Sequence, residues 1–239
     1  MTSKRVIGIF LSFFIFSIIF VNLAGAVSGE PQVLAQSEAP RTITLEDVIE
    51  RLVNQAADLK KGLQGLKNIS KEQELLRQEY LGFLEETLNY YQSLEVNPDG
   101  SNIRFLAAEL KEKRAGELGA EIKRISDFLL IFQTKSILKI AESRFLRIKN
   151  DLERLIDLKI LKPEKAGFLL NEAHLLLVSA NDLIEQAESA AQALGEPRSD
   201  GSGREFENPR SLLSEAIGEI KLAYKKFLEI SNLLKEALK

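Results

Sequence analysis

From Thr44 onward, apolar residues recur at alternating spacings of four and three, the rhythm of helices that pack through one stripe. In "TLEDVIERLVNQAADLKKGLQGLKN" the stripe is Leu45, Ile49, Leu52, Ala56, Leu59, Leu63 and Leu66. Thr44 stands as the N-cap with Asp47 three residues on, a variant of the capping box. Ser70 and Gln73 repeat the arrangement at once and open a second helix. Its expected seam is Leu76, Tyr80, Phe83, Thr87, Tyr90 and Leu94. So short a connection around Asn68 predicts an antiparallel hairpin. "NPDGS" ends the second helix, because proline followed by Asp-Gly is turn chemistry.

No proline interrupts Ser101 to Leu161, which reads as one long third helix. Gly116 and Gly119 are its soft points, since glycine costs about 1 kcal/mol relative to alanine in a helix interior. Ile122, Ile125, Leu129 and Phe132 hold one register; Leu138, Ala141, Phe145, Ile148, Leu152 and Leu155 hold another. The stripe therefore shifts between Phe132 and Leu138. Pro163 suits the first turn of a fourth helix running to Leu194. Ala166, Leu170, Ala173, Leu177, Ala180, Ile184, Ala187, Ala191 and Leu194 form its seam, widened by Leu169, Leu176 and Leu183. A fifth helix after Pro209 answers it with Leu213, Ala216, Ile220, Ala223, Phe227, Ile230, Leu234 and Ala237. Small side chains at a contact let helix axes approach toward the lower end of the usual range of about 8–10 Å. Helices four and five are therefore expected to pack directly along their alanines.

The fold class that follows is all-α: an elongated antiparallel helical bundle or coiled coil of about five helices. Unbroken, the third helix would be about 90 Å long, against about 37 Å for the first two and about 45 Å for the last two. That mismatch favours two lobes sharing a long central helix. The competing arrangement breaks the third helix near Gly116–Gly119 and folds it back into one bundle. Charge agrees with a central third helix: residues 111–149 carry ten basic and five acidic side chains, residues 42–100 six and eleven, and residues 150–239 twelve and sixteen. The agreement is weak support, because an exposed ion pair is worth only about 0–1 kcal/mol.

Ahead of this domain, Val6 to Ala26 follows Lys4 and Arg5, and no charge appears before Glu30. A basic start, an apolar core and small residues at Ala24 and Ala26 have the layout of an export signal. The apolar stretch is also long enough for an anchor: continued to Val27 it spans about 33 Å as a helix. The Ala-Gly-Ala triplet favours cleavage after Ala26, with a retained signal-anchor as the other reading. A pilin-type cut at Gly8 is disfavoured by the lack of an early acidic residue. With Lys4 and Arg5 held on the cytoplasmic side, everything after Val27 is expected outside. The domain plan is thus 1–26 signal peptide or signal-anchor, 27–41 flexible spacer, and 42–239 helical bundle. Within the last, the polar loop 195–209, rich in glycine and proline, reads as a disordered tether with Phe206 as the one apolar side chain.

Composition removes several function classes. Without residues 1–26 the chain carries 30 basic and 35 acidic side chains, net −5, which gives no footprint for nucleic acid. There is no cysteine, so disulfides, thiolate sites and lipid attachment through cysteine are excluded. The single histidine, His174, sits at the edge of the fourth seam, with Asn171 where a di-iron bundle needs a carboxylate. Met1 is the only methionine, so a His/Met haem is also excluded. "EVNPDGSN" has Glu95, Asn97, Asp99 and Gly100 at calcium-loop positions, yet Leu106 stands where the essential glutamate belongs. Tyr80, Tyr90 and Tyr91 read as core and edge residues. Glu85–Glu86 reads as a solvated face, and Gly116 and Gly119 as a bend or close-packing site.

No catalytic, cofactor-binding or metal residues are assigned, and no cofactor is expected. What remains is an extracytoplasmic structural or protein-interaction module without catalytic activity, secreted, periplasmic or anchored. Its expected partner is a protein, with a membrane contact through residues 1–26 if they stay. The alternative is a sensory or small-ligand-binding bundle, whose polar lining would come from Asn171, His174 and Asn181.

Overall fold

The structure, a computed structural model, describes residues 44–158, 163–193 and 208–237. The expected signal or anchor, the spacer, and the 195–209 loop up to residue 207 lie outside these residues. Among the described residues there are six α-helices and no strand: α1 Leu45–Gln64, α2 Lys71–Gln92, α3 Ile103–Ala115, α4 Glu117–Asp157, α5 Pro163–Ala193 and α6 Pro209–Ala237. The described residues form an all-helical domain, as its periodicity predicts.

The count corrects one expectation. The third helix is two helices, broken at Gly116, where the backbone leaves helical geometry (φ −95°, ψ −146°). The chain turns so tightly there that a Cβ on Gly119 would stand 1.9 Å from the Arg114 carbonyl oxygen. Only a residue without a side chain fits so close an approach. α3 meets α4 across this break, and its Leu110 joins the same core as Ile125 and Leu129 of α4. Yet α4 itself continues unbroken for 41 residues and contributes to more than one core.

α1 and α2 form the expected antiparallel hairpin. Both capping boxes are made: the Thr44 hydroxyl accepts from the Asp47 N–H at 3.2 Å, and the Ser70 hydroxyl accepts from that of Gln73 at 3.2 Å. Lys60 pairs with Glu85 at 2.8 Å, and Arg77 lies beside the Leu66 carbonyl, which fixes the opposed register. On α1 the buried residues Leu52, Ala56 and Leu63 belong to the expected stripe. On α2 the expected seam is off by one residue in two places. Leu84 and Tyr91 are buried with Tyr80 and Thr87, while Phe83 and Tyr90 are half-buried. Neighbouring positions on a helix lie about 100° apart, so an apolar pair such as Phe83–Leu84 leaves the pole undecided until partners pack against it.

α5 and α6 make the most extensive pairing in the bundle. Ala173, Ala180 and Ala187 of α5 and Ala216 and Ala223 of α6 have no exposed surface, as expected of alanine seams in direct contact. Lys226 of α6 pairs with Glu172 of α5 at 3.0 Å. α4 closes this set, its Lys135 meeting Glu188 of α5 at 2.6 Å.

The hydrophobic interior is divided. One core joins α1, α2 and Leu110 of α3 to Ile125 and Leu129 of α4. A second joins Ile131, Leu138 and Ala141 of α4 to α5 and α6. A small third cluster holds Leu152, Ala166, Leu169 and Ile230. The changeover falls at Leu129–Ile131, a few residues before the shift of stripe expected after Phe132. Among the described residues no helix is long and apolar enough to cross a membrane.

Candidate functional site

The changeover between the first two cores leaves an opening. α2 stands off from α4, and aromatic rings rather than close backbones span the gap. The Tyr80 ring meets Phe128 edge-on at 5.6 Å between centroids, and Phe128 lies 6.5 Å from Phe132. Large rings hold two helices apart where alanines would let them close. The result is a cleft of about 650 Å³, walled by the start of α2 and the end of α5 and floored by α4. Leu76, Tyr80, Phe128, Ile131 and Phe132 supply its apolar surface.

Charged side chains line the same cleft, and most are already paired. Glu121 accepts from Arg124 at 3.0 Å, and Glu188 pairs with Lys135. Asp127 is the least exposed carboxylate there, at 5% of its side chain, and Arg210 meets it at 2.7 Å. A second guanidinium nitrogen of Arg210 donates to the Ser126 hydroxyl at 3.0 Å. Arg210 lies in the first turn of α6, so this pair pins the beginning of that helix to α4. A buried carboxylate is tolerated only when paired and hydrogen-bonded, and Arg210 meets that need.

The residues singled out in the sequence do not gather around the cleft, Tyr80 excepted. Asn171 and His174 are exposed on α5, and the His174 ring stacks on Phe145 at 5.2 Å. The Asn181 amide donates to Glu185 one turn along the same helix, at 2.8 Å. These three form no shared polar lining. Tyr90 and Tyr91 belong to the first core. The Tyr90 hydroxyl donates to Glu109 of α3 at 3.0 Å, beneath the Lys113 ammonium, which sits 3.6 Å from the ring centre. Burial, and then that bond to a carboxylate, pushes the Tyr90 phenol up to about 12. Burial also raises Tyr80, Tyr91 and Tyr224.

The Glu95–Asn102 turn is held by its own side chains. The Asn102 amide donates to the Glu95 carbonyl at 2.8 Å, and the Ser101 N–H donates to Asp99 at 3.0 Å. That bond lowers Asp99 below the ordinary carboxylate value. Among the described residues no group of three or more His, Cys, Asp or Glu side chains is arranged to hold a metal ion. Gly116 and Gly119 serve as bend and close approach respectively, both as read from the chain.

The cleft escaped sequence reading because Leu76 and Phe132 are 56 positions apart and each fits its own helical stripe. The one local sign is Phe128–Phe132, two rings one turn apart on α4. No protein-family model, curated protein or solved structure matches this chain.

Proposed function

We propose that this protein is an exported helical interaction module, without catalytic activity, that binds another protein outside the cytoplasmic membrane. It would be secreted or periplasmic after cleavage behind Ala26, or anchored through residues 1–26 if they remain. The observation that carries the reading is the open cleft at the junction of two cores: a half-buried aromatic floor beside which Glu121, Asp127 and Glu188 are held in ion pairs of this chain. Apolar surface kept open to solvent is characteristic of surfaces that meet a partner. An elongated, two-lobed arrangement is part of the proposal. It is supported by α4, which at 41 residues is about 60 Å long and serves the first core with its beginning and the second with its middle.

A second reading, the small-ligand bundle, has the cleft's volume in its favour, since ligand sites commonly run from about 300 to 1,000 Å³. Its intended lining of Asn171, His174 and Asn181 lies elsewhere, so it would have to use the aromatic floor instead.

Cell fractionation with intact-mass measurement, followed by crosslinking in intact cells, tests the main reading. The expected result is a chain outside the cytoplasm, lacking residues 1–26, crosslinked to a protein. A full-length mass in the membrane fraction selects the anchor. A full-length chain in the cytosol overturns the export half of the reading, and a chain that crosslinks to nothing overturns the interaction half.

A further inference from the structure

We infer that the cleft takes an amphipathic helix of the partner protein, carrying two basic side chains seven residues apart along one edge. The inference rests on the interaction-module reading above and adds the chemistry of the partner. Shape comes first. From Ser70 to Tyr80 the α2 wall is about 15 Å long, enough for the i, i+4, i+7 anchors of a docked helix, which span about 10.5 Å. Leu76, Phe128 and Phe132 lie where such anchors would rest, and all three are half-buried with surface still to cover.

Charge selects the sign of the edge. Of the carboxylates lining the cleft, Glu121, Asp127 and Glu188 each have a cation of this chain within 3.0 Å. Glu72 and Glu79 have no ion pair among the described residues; both are exposed and both stand on the α2 wall. Seven apart on one helix, they share a face and sit two turns from each other. Lysines or arginines at the same interval on a docked helix meet both. Lys123, on α4, is the lining cation without a carboxylate partner among the described residues, so the opposite edge of the guest is neutral or acidic and the docking has one orientation. Such steering is screened by salt over about 10 Å at 0.1 M.

The test uses the full chain in lipid nanodiscs and two labelled synthetic helices of about 18 residues. They share a leucine face and differ only in carrying lysine or glutamate at the two edge positions. The lysine peptide is expected to bind at least about tenfold more tightly, with the gap closing at high salt. Glu72→Lys with Glu79→Lys, both on exposed positions, should leave the chain folded, with at most a small drop in melting temperature from the lost first-turn carboxylate of α2, and reverse the preference. Phe132→Ser should weaken both peptides alike. Equal binding of the two peptides, binding of neither, or a preference unchanged in the double variant would each overturn the inference. So would self-association of the chain that the double variant abolishes, because the occupant would then be a second copy. A photo-reactive residue at Gln73 or at Phe168 separates this claim from the broader one. A partner caught only from Phe168, exposed near the start of α5 and away from the cleft residues at its end, sinks the helix-in-cleft claim and leaves the interaction module standing.

Discussion

Two ways of keeping helices together meet in this molecule. Along α5 and α6 the contact is built from alanines with no exposed surface, and the larger residues Phe227, Ile220 and Ile184 fill the space around them completely. Along α1, α2 and the beginning of α4 the contact is built from leucines and rings, and several of these, Leu76, Phe83, Phe128 and Tyr90 among them, are only half covered. Small residues bring backbones close and close the surface; rings keep backbones apart and leave an edge. The first arrangement is sealed along its seam, and the second leaves a cleft open.

The contrast is broken most directly with a pair of truncations. Phe227→Ala, in the sealed core, is expected to cost about 3–5 kcal/mol in urea unfolding. Phe132→Ala, at the cleft, is expected to cost about 1–2 kcal/mol, because water already reaches the ring. Equal losses would show that the two regions are packed alike. Two glycines should respond with opposite signs. Gly119→Ala drives a methyl group against a backbone carbonyl and should lower stability by about 1–3 kcal/mol. Gly167→Ala, on α5, meets nothing within 4 Å and should raise stability by about 0.5–1 kcal/mol. Ala180→Leu probes the sealed seam itself: overpacking there should cost about 1–3 kcal/mol, and a melt identical to that of the parent would count against direct α5–α6 contact.

Alkaline titration sharpens the comparison from the other side. A phenol whose folded pKa is raised keeps its proton in the native state while the unfolded chain has already lost it. Its stabilising contribution is therefore full below about 10 and is lost as pH rises through the folded value. For Tyr90 that window runs from about 10 to about 12. Tyr90→Phe should flatten the loss of stability over this range, and tyrosinate absorbance of the folded parent should rise late. The smallest effect belongs to the surface: removing Lys60 from its pair with half-exposed Glu85 should change stability by about 0–1 kcal/mol, fading with added salt.

Much of the fold is legible in local pattern. The seams of α5 and α6 need only period and residue size, and both capping boxes are complete in four residues each. Legibility fails where the pattern offers two answers or none. On α2, Phe83 and Leu84 compete for one place, as do Tyr90 and Tyr91. At Gly116 the sequence marks a soft point, but the break there depends on how α3 and α4 each meet the rest of the first core. The candidate site is less legible still. Asp127 and Arg210 are 83 positions apart and look like ordinary surface charges until the fold buries one beside the other.

By itself the sequence determined that the described segments are helical, where most of those helices begin and end, most of the faces that turn inward, and that no thiol is available to the chain. These are consequences of periodicity, capping and inventory, all short-range or simply counted. Only the tertiary structure decided where the interior divides, which ring of a neighbouring pair is buried, and that α2 and α4 stand apart with a cleft between them. Those outcomes depend on the volume and reach of side chains from distant segments meeting in one place, and no single stretch of the chain contains that information.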